Sequence, residues 1–265
     1  MQYADIAAIG TIGDMMVLDG ENRIIVREGL RLMENTENMG LNRLLAKQGY
    51  QEGTDITSTF IAYYITPCIN SAGRCASPSV AMELFLCGDM ASASAKANEL
   101  HELNEQRKRV GSEIAEQADE LIRRDPDLLN RRILILAGDG WSHGLIGIAG
   151  TRLQKKYGKP CIIMARNGEK ARGSARSTAD LPLPPLLESC SDKLVYYGGH
   201  VEAAGFTVMS DMIDAFTDAV YAYCDELAGT AGADVIDADM ELDPSELCME
   251  NVELIENLEP FGRGN

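Results

Sequence analysis

Histidine is scarce in this sequence: only His101, His143 and His200 among 265 residues, beside seven cysteines that are odd in number and never arranged C-x-x-C. That scarcity excludes a zinc site of the His/Cys type. The scatter of Cys68, Cys75, Cys87, Cys161, Cys190, Cys224 and Cys248 points to reduced thiols rather than a disulfide framework. No apolar run reaches membrane-spanning length, and Asp5 falls where a signal peptide would need uninterrupted apolar residues; a cytoplasmic protein without a membrane partner is expected. A G-x-S-x-G nucleophile elbow is missing as well. The nearest approach to a dinucleotide fingerprint, Gly138-Asp139-Gly140-Trp141-Ser142-His143-Gly144, spaces its glycines G-x-G-x-x-x-G and lacks an acidic residue closing the second strand. Ser142 and His143 are sequence neighbours, a poor arrangement for one to deprotonate the other.

Basic residues are also few, 24 against 41 acidic ones for a net charge of −17, which argues at first sight against a nucleic-acid partner. Distribution alters that inference. Between residues 151 and 195 nine basic residues face four acidic ones, a local excess of +5, whereas from Met209 onward Arg263 is the only base among fifteen acids. A basic face therefore survives in the middle of the chain.

Within that basic segment stand Arg172-Gly173-Ser174-Ala175-Arg176-Ser177 and, further on, Gly198-Gly199-His200 with Ala203-Ala204-Gly205. Glycines let a backbone approach a ligand where a Cβ would block it, and a guanidinium fork matches two phosphate oxygens, so these turns suit a phosphate ester or nucleic acid. The competing structural reading has Gly198-Gly199 capping a helix that ends at Tyr196-Tyr197, with Arg172 and Arg176 as solvated strand residues.

Along the chain, Ala4–Gly10 reads as a short buried strand with Asp14 just beyond its C-terminal end, where open α/β sheets hold ligands and metals. Helical patterns follow from Asn22 to about Leu86. From Asp89 to Arg124 there is no proline and Gly111 is the only glycine; apolar residues recur at spacings of three and four, predicting one amphipathic helix of roughly 50 Å, either a spacer between lobes or one strand of a coiled coil. The remaining pattern predicts strands at 132–137, 161–165, 171–177 and 205–209, and helices at 144–157, 183–196 and 211–227, in the order β-α-β-β-α-β-α. A linker at Gly229-Thr230-Ala231-Gly232 leads to a last element, 237–265.

Read in order, Gly10-Thr11-Ile12-Gly13-Asp14, Gly20-Glu21-Asn22-Arg23, Pro67-Cys68-Ile69-Asn70-Ser71-Ala72-Gly73-Arg74, Trp141 to Ile148, Gly173-Ser174-Ala175-Arg176-Ser177, Gly198-Gly199-His200 with Ala203-Ala204-Gly205, and Pro260-Phe261-Gly262-Arg263-Gly264-Asn265 resemble the RecJ exonucleases of the DHH phosphoesterase superfamily. The resemblance implies an α/β protein: the C-terminal part of a DHH catalytic domain (1–87), a connecting helix (88–125), a DHH-associated substrate-binding domain (126–229), and a linker with the start of an OB-like domain (230–265). It implies 5′→3′ hydrolysis of single-stranded DNA in repair and recombination, with two Mn2+ (or Mg2+) ions activating water. Asp14 matches a metal-binding, catalytic aspartate. Asn70, Arg74, Ser174, Arg176, Gly198 and Gly199 match substrate-binding positions, with Arg74, Ser174 and Arg176 sharing one 5′-phosphate site, and catalytic His200 faces the metals. Expected partners are single-stranded DNA with a 5′-phosphate and single-strand-binding or repair proteins, with the chain itself a monomer. Gly13 stands where the family usually has Ala, Val17 where it has Pro, and Ser142 where it has His or Asn. Of the family's metal ligands only Asp14 has an evident counterpart, so an incomplete metal site and an inactive chain are expected. Two rival functions remain open: a catalytically silent nucleic-acid-binding protein, and a phosphodiesterase for short oligoribonucleotides or cyclic dinucleotides.

Overall fold

The computed structural model describes residues 3–178, 180–227, 238 and 241–264. The chain divides into two units, Met1–Gln106 with Ile236–Asn265, and Arg107–Val235. The expected linker at Gly229–Gly232 lies outside the described residues. Among the described residues no helix is long and apolar enough to cross a membrane, and no disulfide joins any of the seven cysteines. Burial pushes the Cys161 thiol up to about 12 and that of Cys224 up to about 11.

The first unit is helical: α1 Ala4–Gly13, α2 Gly20–Met33, α3 Met39–Lys47, α4 Ser58–Phe60, α5 Thr66–Cys75, α6 Ser79–Phe85 and the front of α7, Met90–Arg124. The expected strand at Ala4–Gly10 is thus a helix. An all-apolar run cannot by itself distinguish the two, but alanine is the best helix former and the buried positions Ala4, Asp5, Ala8 and Ile9 follow helical spacing. Helix α1 lies directly on α2 because Gly29 has no side chain: a Cβ there would overlap the Ala4 carbonyl and the Ala8 methyl. Leu30, Leu41, Leu44, Ile61, Ile65 and Leu100 fill the core between the helices.

A single π-helical turn, Ile61–Ile65, joins α4 to α5. Pro67 explains it: without an N–H it cannot serve the carbonyl four residues back, and widening the turn relieves the clash of its ring. The C-terminal segment, which includes α11 Met249–Glu256, folds onto the same unit. Arg23 donates to the carbonyls of Leu258 and Pro260, the Leu18 amide to Arg263 O at 2.8 Å, and the Ser58 hydroxyl to Phe261 O at 2.6 Å. The Gly20–Arg23 motif, through Arg23, and the described part of the last motif, Pro260–Gly264, therefore meet as a clasp.

The second unit is a five-stranded sheet, β1 Leu134–Asp139, β2 Cys161–Asn167, β3 Lys170–Arg176, β4 Leu194–Gly199 and β5 Ala203–Met209, in the order β1-β2-β3-β5-β4. Only the β1–β2 pair is parallel, and its crossover contains α8 Ile146–Tyr157. Helices α9 Leu183–Ser189 and α10 Ile213–Glu226 complete the unit. Ile162, Met164, Ala175, Phe206 and Val208 on one sheet face pack with Leu186, Leu187, Phe216 and Val220 of α9 and α10. On the other face α8 covers β2 and β3, with Ile163, Cys161 and Arg176 beneath Gly150.

The expected helix 183–196 stops at Ser189, and a fifth strand takes its second half. Val195, Tyr196 and Tyr197 are strand formers, and β5 offers an edge to pair with. Gly198-Gly199 consequently end a strand and cap no helix.

Candidate nucleic-acid interface

In the first unit, Asp14 is the C-cap of α1, its amide bonded to Gly10 O at 3.0 Å, not a residue beyond a strand. A carboxylate there sits at the negative end of the helix dipole, a placement that a nearby cation relieves. Helix α5 presents Thr66, Asn70 and Arg74 at successive spacings of four, hence on one face, and these three line a cleft of about 560 Å³ with Gly13 and Asp14. The Thr66 side chain is buried and its hydroxyl has no hydrogen-bond partner among the described residues. A Cβ on Gly13 would stand 2.9 Å from the Thr66 methyl, so glycine and threonine accommodate each other here.

Among the described residues no three His, Cys, Asp or Glu side chains come together as a metal site. Asp14 supplies one carboxylate, whereas two divalent cations need several converging oxygen or nitrogen ligands to offset dehydration and mutual repulsion. The residues present do not fit a two-cation centre.

In the second unit, β3 alternates. Ala171, Gly173 and Ala175 point toward α9 and α10, so Arg172, Ser174 and Arg176 share the opposite face. Pairing aligns two rows across three strands: Ser174–Gly205–Gly198, and beside it Arg172–Thr207–Tyr196. With strands roughly 4.8 Å apart, each row is about 10 Å wide. Both rows line a groove of about 490 Å³, which His143 and Ile146 also border.

The floor of this groove is bare without any need of the fold. A Cβ on Gly205 would find only Gly173 O at 3.9 Å, and one on Gly198 only the Tyr196 hydroxyl and its ring carbon, at 3.5 and 3.9 Å. Neither residue has a backbone conformation that requires glycine. Gly173 and Gly199 differ: a side chain on the first would overlap the Phe206 ring, and on the second the Ala204 backbone. Gly199 does not line the groove.

Arg176 is held from within. Its Nη1 donates to Ser174 Oγ at 2.9 Å and Ala175 O at 2.8 Å, its Nε to Thr151 Oγ1 at 3.2 Å, and a Cβ on Gly147 would stand 2.7 Å from Nη2. The guanidinium thus lies against the first two turns of α8, beside the groove rather than in it, and orients the Ser174 hydroxyl. His200 is exposed at the β4–β5 hairpin, its backbone N–H bonded to Ala203 O at 2.8 Å. The Gly138–Gly144 loop is occupied by the protein itself: the Trp141 ring covers Gly138, and its Nε1 donates to Gln117 at 2.7 Å. That filling disposes of a dinucleotide reading for the loop.

Asp14, Asn70 and Arg74 are therefore brought together in the first unit, and Ser174 with Gly198 in the second. Sequence reasoning missed Tyr196 and Thr207, carried Arg172 only as one of the guanidinium groups in a phosphate-suited turn, and left His143 out of the site. Strand register places the first three on one face, and nothing in their spacing of 24 and 11 residues reveals it.

The DHHA1 domain family matches residues 130–226, the sheet just described. Over all of this chain there is 30% identity to the single-stranded-DNA-specific exonuclease RecJ of Bacillus subtilis and 33% to that of Thermus thermophilus. The solved structure of Thermus thermophilus RecJ with Mn2+ superposes on the whole chain with a TM-score of 0.85 at 31% identity, and that with Mg2+ with 0.84. This chain belongs to the RecJ family. It spans 34% and 38% of the length of those two RecJ relatives, and 38–40% of the Thermus thermophilus RecJ chain in the solved structures. Both RecJ structures hold a divalent metal, which makes Mg2+ and Mn2+ ions of the family.

Proposed function

We propose that this chain is the substrate-holding portion of a metal-dependent, 5′→3′ single-strand-specific DNA exonuclease of cytoplasmic DNA repair. It binds 5′-phosphorylated single-stranded DNA and does not hydrolyse it unaided. The observation that carries the reading is the bare Ser174–Gly205–Gly198 row: two paired glycines, Gly205 inside β5 and Gly198 near the end of β4, each costing roughly 0.5–1 kcal/mol of strand stability, where the fold would accept a side chain. Such a floor lets a flat or backbone-like ligand lie directly on the sheet. Arg172 and the hydroxyls of Ser174 and Thr207 then reach its phosphates, while Arg176 holds Ser174 in position. In the first unit Arg74 and Asn70 take a further phosphate, and Asp14 contributes one of the carboxylates that a metal centre requires. Names of the relatives supply the substrate class, single-stranded DNA.

Fluorescence anisotropy of labelled oligonucleotides on the purified 265-residue protein tests this. Single strands should bind more tightly than duplex, with a 5′-phosphate improving on a 5′-hydroxyl. Arg172→Ala should weaken binding by about 1–3 kcal/mol and lower the salt slope by about one. Absence of single-strand binding at low salt, or a preference for duplex, would end the reading.

A further inference from the structure

Tyr196 is 69% exposed on the edge strand β4, and its position depends on an irregularity. Strict alternation would put Leu194 and Tyr196 on the same face. The β4–β5 register instead shifts between them: Leu194 pairs with Val208 and packs on the core under α9 and α10, whereas Tyr196 pairs with Thr207 on the groove side. One extra residue, Val195, thus re-aims the ring out of the core and over the bare row, which is what β-bulges beside functional sites do. The ring leans toward Gly198, with its hydroxyl 3.5 Å from where that residue's Cβ would be.

We infer that Tyr196 is a stacking platform for one unpaired nucleobase of the bound strand. The inference rests on the proposed nucleic-acid reading and adds to it a contact with a base rather than a phosphate. An unpaired base offers a π-face whatever its identity, and stacking on an exposed aromatic gives affinity without sequence preference. The cation and hydroxyls lining the same groove fit the same occupant: Arg172 and Thr207 lie in the same cross-strand row and Ser174 in the next. A strand with its base on Tyr196 can keep its phosphates on those groups.

Anisotropy titrations with 5′-phosphorylated oligothymidylate test this, run beside a set of strands each lacking one base at successive positions. For the wild type, one abasic position should cost affinity. Tyr196→Ala should weaken binding to the intact strand roughly 5- to 150-fold and erase the penalty at that position, while Tyr196→Phe and Tyr196→Trp keep both. Binding of inorganic polyphosphate should be indifferent to Tyr196→Ala. Unchanged affinity in Tyr196→Ala, an abasic penalty that persists there, or an equal loss for polyphosphate would each overturn the stacking role and leave the single-strand reading standing. A wild type that binds no single strand would overturn both.

Discussion

Replacing Gly205 with valine separates what the fold needs from what a ligand needs. A Cβ at this position meets nothing nearer than Gly173 O at 3.9 Å, and the residue lies within β5 between β3 and β4. Valine is a good strand former and glycine a poor one, so the substitution should stabilise the second unit by about 0.5–1 kcal/mol. Its methyl groups would stand on the groove floor between Ser174 and Gly198, roughly 4.8 Å from each strand axis, where the ligand is proposed to lie. Binding of 5′-phosphorylated single strands should fall at least tenfold, about 1.4 kcal/mol. Gly173→Ala is the contrasting control, since its methyl would overlap the buried Phe206 ring and should destabilise by about 1–3 kcal/mol. Urea denaturation followed by circular dichroism reads the first quantity and anisotropy the second. Loss of stability in Gly205→Val would mean that the floor is packed after all; wild-type affinity would mean that no ligand reaches it.

Two further outcomes follow from the first unit. Arg23→Met removes a half-buried guanidinium from the carbonyls of Leu258 and Pro260, so the clasp should loosen by about 1.5–3 kcal/mol, the worth of charge-assisted bonds; hydrogen exchange at 249–264 should speed up, and unchanged protection would refute the clasp. Asp14→Asn relieves the negative end of α1 and should leave thermal stability equal or slightly higher, by at most about 1 kcal/mol. Millimolar manganese should neither raise the melting temperature of the wild type above that of Asp14→Asn nor produce mononucleotides from labelled single strands, and digestion that disappears in Asp14→Asn would show that further ligands within this chain were overlooked.

The long helix 90–124 is legible because no proline and only Gly111 interrupt it and because its apolar stripe repeats at helical spacing. Ala4–Gly10 is not legible in the same way. Its apolar run suits a buried strand and a buried helix equally, and the deciding fact, Gly29 opening room on α2, lies about twenty residues away. The segment 183–196 conceals a boundary: Leu183, Leu186 and Leu187 have helical spacing, Val195, Tyr196 and Tyr197 strand character, and the turn between them carries neither proline nor glycine.

The site divides along the same line. Ser174, Arg176 and Gly198 could be singled out because charged and small residues cluster in sequence, but the cluster does not tell which glycine serves the fold and which serves a ligand. Gly173 and Gly205 look alike on paper, and in the sheet they are paired with residues of neighbouring strands yet have opposite reasons to be glycine. Gly173 gives its space to Phe206, whereas the space over Gly205 is left open to solvent. That difference turns on cross-strand register and on which face each residue occupies, both tertiary properties. Tyr196 is the sharper case, since a one-residue bulge decides whether its ring belongs to the core or to the groove. A glycine retained where a side chain would stabilise the strand, beside an aromatic ring turned outward at the expense of regular pairing, is a local concession of stability that the packing of this unit does not explain. A bound strand would explain both.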